Sequence, residues 1–283
     1  MDPAKRTTYI IAALALIGFI IGIYFLFIFQ KGEKVNKEEQ APDEIKQISD
    51  ITIEKRPYVT LTPTTDGAEI ILAIENMSAF DKIEYTLTYQ ADNPEIAGEK
   101  IERGSTGFDV NTKDPRYKKS ILLGTASKGT RSPDKGVTEG KLSLNLFQGE
   151  TEYVSETSWD LIEAGLKAQE IKNRSEKLSL EIPSMGKNYF IIIADTVGVP
   201  PNSPFEAKNT LLPTMGVFSV APAFKKSANL TIKIDQENQK NELYSYKTAD
   251  SKWEKIESEF NSQTKDINAS VAAFATYVVV SSQ

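Results

Sequence analysis

Residues 82–89 read KIEYTLTY. Ile83, Tyr85, Leu87 and Tyr89 fall on one side of an extended chain, and Lys82, Glu84, Thr86 and Thr88 on the other. Period-two alternation of this kind predicts an antiparallel strand with one buried face and one wet face. Upstream, Val59 and Leu61 alternate with threonines, Asp66-Gly67 is a hairpin dipeptide, and AEIILAIE at 68–75 is a second β-rich run. Downstream, residues 91–119 are rich in Gly, Pro, Asp and Lys and read as long loops with at most one short strand. Strands follow at Ser120 to Ala126 and at Lys141 to Phe147, where Leu142, Leu144 and Leu146 alternate. The stretch SKGTRSPDKGVTEG between them reads as a polar loop, and Thr151 to Ser155 is a weaker strand.

Helical spacing replaces alternation in one place. Trp159, Ile162 and Leu166 recur at three and four residues, with Leu161, Ala168 and Ile171 beside them and Ser158 as an N-cap. This predicts a short helix over 158–172. Leu178, Leu180 and Ile182 then alternate, and Pro183 to Gly186 reads as a boundary. A second series of strands follows. YFIIIAD at 189–195 is apolar on both sides and therefore central. The others are expected at Gly216 to Ala221, Leu230 to Asp235, Leu243 to Lys247, Lys252 to Ile256, Ile267 to Val271 and Phe274 to Val280. Many short strands at close spacing predict an all-β chain of sandwiches rather than βα units.

At the other end of the chain, residues Tyr9 to Phe29 contain no charge. A helix of that length covers roughly 32 Å, enough for a hydrocarbon core of about 30 Å. The expectation is a transmembrane helix at 9–29 after a short tail at 1–8, with the lipid bilayer as its partner. Lys5 and Arg6 precede the run, but Phe27-Ile-Phe-Gln-Lys31 offers no small-residue cleavage site, so the segment reads as an uncleaved anchor. Ala15, Gly18 and Gly22 form a stripe without bulk, the pattern through which a span can pack as a homodimer; glycine is also simply common in such helices. Basic residues flank both ends, so charge leaves orientation open; the large region after the span favours a chain lying mostly outside the cytoplasm. Residues 30–56 are polar and mixed in charge and read as a flexible linker, with a short helix over Asp43 to Ser49 as the competing reading. Residues 57–183 and 184–283 are then two expected β-sandwich domains.

Composition excludes several chemistries. The 283 residues include no cysteine, hence no disulfide or thiolate site, and no histidine, which removes the commonest general base and metal ligand. A net charge of −6 provides no basic footprint for nucleic acid. Ser132-Pro-Asp-Lys135 has the S-x-x-K spacing of penicillin-recognising enzymes, but Pro133 and Gly136 place it in a loop and its partner motifs are missing. Asp109, Asn111 and Asp114, like Asp235, Glu237 and Asn238, offer oxygens in the manner of calcium loops, yet read better as solvated turns. Tyr85, Tyr89, Trp159, Tyr244, Tyr246 and Trp253 suit a sugar-stacking platform or, more simply, a core. No carboxylate pair stands out for hydrolysis, so neither an enzyme nor a cofactor is expected.

In the last 65 residues, Leu230-Thr-Ile-Lys-Ile-Asp235, Leu243-Tyr-Ser-Tyr246, Trp253-Glu-Lys-Ile256 and Phe274-Ala-Thr-Tyr-Val278 occur in that order. This series resembles the tail module of bacterial cell-surface and S-layer-like proteins, with Ala275 in place of the usual serine and no histidine before the phenylalanine. EIILAIEN followed by IEYTLTY is similar in a general way to bacterial Ig-like or cohesin-like modules. The resemblance implies tandem antiparallel Ig-like β-sandwiches outside the membrane and carries no catalytic residue. The expected function is therefore a single-pass anchored envelope protein displaying these modules for adhesion, protein or glycan binding, or surface structure. The alternatives are an accessory subunit of a membrane secretion, pilus or transport complex, and an envelope-bound hydrolase.

Overall fold

A computed structural model describes residues 44–235 and 240–281. The expected span, with Ala15, Gly18 and Gly22, lies outside them. Among the described residues no helix is long and apolar enough to cross a membrane.

The described chain is all-β and, with one exception, antiparallel. β1 (Glu44–Gln47) precedes two hairpins, β2 (Tyr58–Pro63) with β3 (Glu69–Glu75), and β4 (Lys82–Asp92) with β5 (Lys100–Gly107). The first turns at Gly67, whose φ of +68° a glycine adopts freely. β6 (Arg116–Leu122) and the small hairpin of β7 (Gly124–Ser127) and β8 (Thr130–Pro133) lead to the long pair β9 (Thr138–Gln148) and β10 (Thr151–Ala164). Next come β11 (Gln169–Lys172), β12 (Leu178–Ile182), β13 (Tyr189–Thr196), β14 (Thr210–Phe218) and β15 (Ala228–Lys233). The chain closes with β16 (Asn241–Lys247), β17 (Lys252–Ile256), β18 (Ser258–Asn261), β19 (Asp266–Val271) and β20 (Thr276–Ser281).

One sheet runs β17-β16-β20-β14-β13-β10-β9-β4-β5, with β1 added parallel to β10. A three-stranded sheet, β2-β3-β6, covers one face of it, and a five-stranded sheet, β11-β12-β15-β19-β18, covers the other. Alternation along β13 serves both covers. Ile192 and Ala194 join the core under the three-stranded sheet with Leu72, Leu87, Leu144 and Trp159, while Ile191 and Ile193 join the core under the five-stranded sheet with Leu180, Leu230, Ile267 and Val279. The main sheet thus draws strands from both sides of residues 183–184, each core sitting mainly to one side of that point in sequence.

Ile83, Tyr85, Leu87 and Tyr89 of β4 are buried, as the alternation predicts, the first three in register with Leu146, Leu144 and Leu142 of β9. The helix expected over 158–172 is not formed: residues 151–164 are β10 and residues 169–172 are β11. Trp159 and Leu161 face the first core, whereas Ile162 and Ala164 face the second. A strand buried on both sides places apolar residues at both parities, and here they coincide with helical spacing; Leu166 sits exposed in the following turn. The stretch 91–119 likewise contains more strand than expected, namely β5 and the start of β6. Residues 44–56, read as the end of a linker, carry β1 and two short 3-10 turns, with Ile51 and Ile53 buried. Arg56 Nε donates to the Ile51 carbonyl at 2.9 Å, and Asn76 Nδ2 donates to the carbonyls of Glu54 and Arg56.

Trp159, the largest side chain of the first core, is 1% exposed and lies across Gly140 on the neighbouring strand. A Cβ at 140 would stand 2.2 Å from the indole ring. Gly140→Ala is therefore expected to destabilise the fold by about 1–3 kcal/mol through overpacking. The measurement is the urea midpoint followed by tryptophan fluorescence; an unchanged midpoint would show that the ring is not seated there.

Candidate functional site

A groove of about 590 Å3 with a mixed polar and apolar lining lies on the outer face of the three-stranded sheet. Its origin is the same alternation that builds the core. Val59, Leu61, Ile70, Leu72 and Ile74 point inward, so Thr60, Thr62, Ile71 and Ala73 must point outward, as do Arg116 and Lys118 of β6. The opposite wall is the rim of the main sheet where β14 and β16 end and β20 begins. It consists of residues 217–221, the turn at 247–250 and residues 273–275. Thr60 is buried on the floor, while Val220 stands 47% exposed on the rim. Alanines at 73, 221, 223, 249, 273 and 275 keep the walls low, so a ligand backbone can approach closely.

Three cations line the groove. Arg116 Nε lies 3.3 Å from Glu75 Oε1, and Lys247 Nζ lies 2.9 Å from Glu254 Oε2. Lys118 is exposed and has no hydrogen-bond or ion-pair partner among the described residues. Ser219 is already engaged, donating to the Phe190 carbonyl at 2.8 Å and accepting from the Ala221 amide at 3.1 Å. The groove can hold an elongated ligand by hydroxyl and charge contacts along an aliphatic floor. Beside it, the main chain of β6 bonds only to β3; among the described residues no other main-chain hydrogen bond reaches residues 116–122.

A second cleft, about 420 Å3, opens where β10 and β13 diverge. Ser155, Thr157, Ser158, Asp195 and Arg56 line it, and Lys141 pairs with Glu156 at 3.2 Å. Asn173 Nδ2 donates to Asp195 Oδ1 at 3.0 Å. Burial pushes the Asp195 carboxyl above the usual carboxylate range, outweighing the Asn173 amide and the Lys177 charge, which pull it down.

The residues marked in the sequence are dispersed. Ser132 lies on exposed β8, opposite Thr125, so the S-x-x-K stretch has no helix turn to bring lysine to serine. Asp109 receives the Lys119 ammonium at 2.9 Å and the Tyr117 hydroxyl at 2.7 Å, which hold its carboxyl below the usual range. The Asn111 side chain caps its own turn at the Lys113 amide. Asp235 pairs with Lys177 at 2.7 Å, and Glu237 and Asn238 lie outside the described residues. Among the described residues no group of three or more acidic side chains could hold a metal ion. The six aromatics do not make a platform. Tyr85, Tyr89 and Trp159 are buried in the first core, and Tyr244, Tyr246 and Trp253 pack with one another and Phe205. The groove itself was missed because its walls come from segments far apart in sequence; the paired outward threonines of β2 were its only local trace. No family model matches the chain. A search of curated proteins also finds no match.

The Asp195 shift has a defined sign. A carboxyl whose folded pKa is raised contributes stability below its unfolded pKa of about 3.9 and loses that contribution as pH rises through the folded value. Asp195→Asn keeps an acceptor for Asn173 and removes the charge. The variant is expected to be more stable than the parent at about pH 7 and to converge with it near pH 3, read by urea denaturation. Equal stability at neutral pH would contradict the burial argument.

Proposed function

We propose that the protein is a single-pass, membrane-anchored envelope protein that holds its β body outside the cytoplasm to bind an elongated ligand. The groove above β2, β3 and β6 is the seat of that ligand. The observation that carries the reading is that this groove is walled by three separate segments around an aliphatic, hydroxyl-lined floor, as a recognition cleft requires. The anchor at 9–29 supports the location. The body supports it too: the two cores read as a pair of Ig-like sandwiches fused through β10 and β13. The four C-terminal pieces that resemble surface-protein modules fall on β15, β16, β17 and the approach to and body of β20.

The unpaired edge of β6 favours a second reading, an accessory subunit that docks to a larger membrane complex by strand addition. The two readings share the anchor and differ in whether the partner is soluble or membrane-bound.

Protease treatment of intact cells making the full chain with a C-terminal epitope tests the location. The epitope is expected to vanish without lysis while the protein fractionates with membranes and resists a carbonate wash. An epitope protected until lysis, or protein in the soluble fraction, would overturn the placement.

A further inference from the structure

We propose that the free edge of β6 receives an extended acidic segment of a partner protein as an added strand. Three observations converge on this edge. β6 is seven residues long and contains no proline, and its pairing with β3 runs without a bulge from Arg116 opposite Glu75 to Leu122 opposite Glu69. Its outer main-chain groups are unpaired among the described residues, and Lys118, Lys119 and Ser120 are exposed. Such an edge is a template for another strand.

Charge selects the occupant. β6 carries Arg116, Lys118 and Lys119 and no acidic residue, in a chain whose net charge is −6. Three other sheet edges carry both signs of charge. β5 mixes Lys100 and Arg103 with Glu102, β17 mixes Lys252 and Lys255 with Glu254, and β11 mixes Lys172 with Glu170. Cations keep two β6 edges of identical copies apart, since like charges on facing strands repel. The same cations attract a strand bearing carboxylates. Lys119 is already bound to Asp109 and Arg116 to Glu75, which leaves Lys118 as the charge most available to a partner.

Geometry ties the edge to the groove. Arg116 and Lys118 lie two residues apart on the outer face, about 6.7 Å by strand rise. An added strand repeats its side chains at the same interval, and facing Cβ atoms come within about 5 Å. Two glutamates two residues apart would therefore meet both cations at the margin of the groove.

The inference rests on the body being a binding module and is independent of the anchor. The probe is a fluorescein-labelled peptide alternating glutamate with valine, titrated into the full chain in detergent micelles. Its controls are a lysine-for-glutamate peptide and an acidic peptide N-methylated at alternate amides. Saturable binding of the acidic peptide alone is expected, with the N-methyl version losing it and backbone amide shifts of β6 moving on binding. Lys118→Glu, at an exposed position, should fold, weaken the acidic peptide roughly tenfold and improve the lysine peptide. Equal binding of the two charge types would overturn the proposal. Undiminished binding of the N-methylated peptide would mean an anion held by charge alone, and would overturn it as well. So would concentration-dependent self-association that competes with the peptide, since the edge would then belong to a second copy. Binding by a protein found in the cytosol would defeat only the envelope placement, and a displayed protein that ignores the peptide would defeat only this inference.

Discussion

The structure depends on two adjacent strands, β13 and the second half of β10, that send apolar side chains into both cores. Along Ile191, Ile192, Ile193 and Ala194 each successive side chain enters the opposite core, and β10 sends Trp159 and Leu161 into one core and Ile162 and Ala164 into the other. Each fully buried side chain of this size contributes about 1.5–3 kcal/mol relative to exposure. Peeling the three-stranded sheet away would wet Ile192, and peeling the five-stranded sheet away would wet Ile193. The two cores are therefore mechanically coupled through one pair of strands even though they share no side chain. A lesion in β13 reaches both, whereas a lesion in β4 or β19 reaches one.

A second link closes the fold across its full length. The Tyr58 hydroxyl meets Thr276 Oγ1 at 2.6 Å, joining β2 to β20 over 218 residues of sequence. The Tyr58 ring stands edge-on to Tyr246 at 5.8 Å between centroids. Beyond it, Trp253 Nε1 donates to the Pro201 carbonyl at 2.9 Å and Phe205 packs on Tyr244, so the 197–209 loop covers what the three-stranded sheet leaves open. Burial holds the Tyr58 hydroxyl protonated well above the ordinary tyrosine range, which suits a group acting as a neutral hydrogen-bond partner.

What could be read from the sequence follows the solvent. β4, β9 and β17 have one wet face or a bounded charged edge, and their alternation placed them within a residue or three of where they lie. YFIIIAD was legible as central because an apolar run that short, with β-branched residues, has no wet side to offer. The start of β10 was legible as the weaker strand at Thr151 to Ser155, but its second half sends apolar residues to both cores, and Trp159, Ile162 and Leu166 then imitate a helix face. β5, with Gly104, Ser105 and Thr106, is held by pairing to β4 rather than by propensity, so its composition read as loop. Ile51 and Ile53 were too sparse to signal that residues 44–56 pack on the body, a fact fixed from outside that stretch by Asn76, whose amide donates to the Glu54 and Arg56 carbonyls. The groove was least legible, since no local pattern announces which outward face another segment will wall in.

The offset of the two covering sheets explains why a recess exists at all. The three-stranded sheet overlies β4 to β14 on one face, and the five-stranded sheet overlies β10 to β16 and β20 on the other, so the covers overlap only over the middle of the main sheet. Where the first cover stops, its outer face stands beside uncovered strand ends rather than over open solvent, and the angle between them is the groove. The stability of the molecule places few demands on those surfaces, because the core is already complete beneath them. Lys118, Val220 and the free side of β6 are thus the positions at which the chain could acquire a binding chemistry without disturbing the pair of strands on which the fold rests.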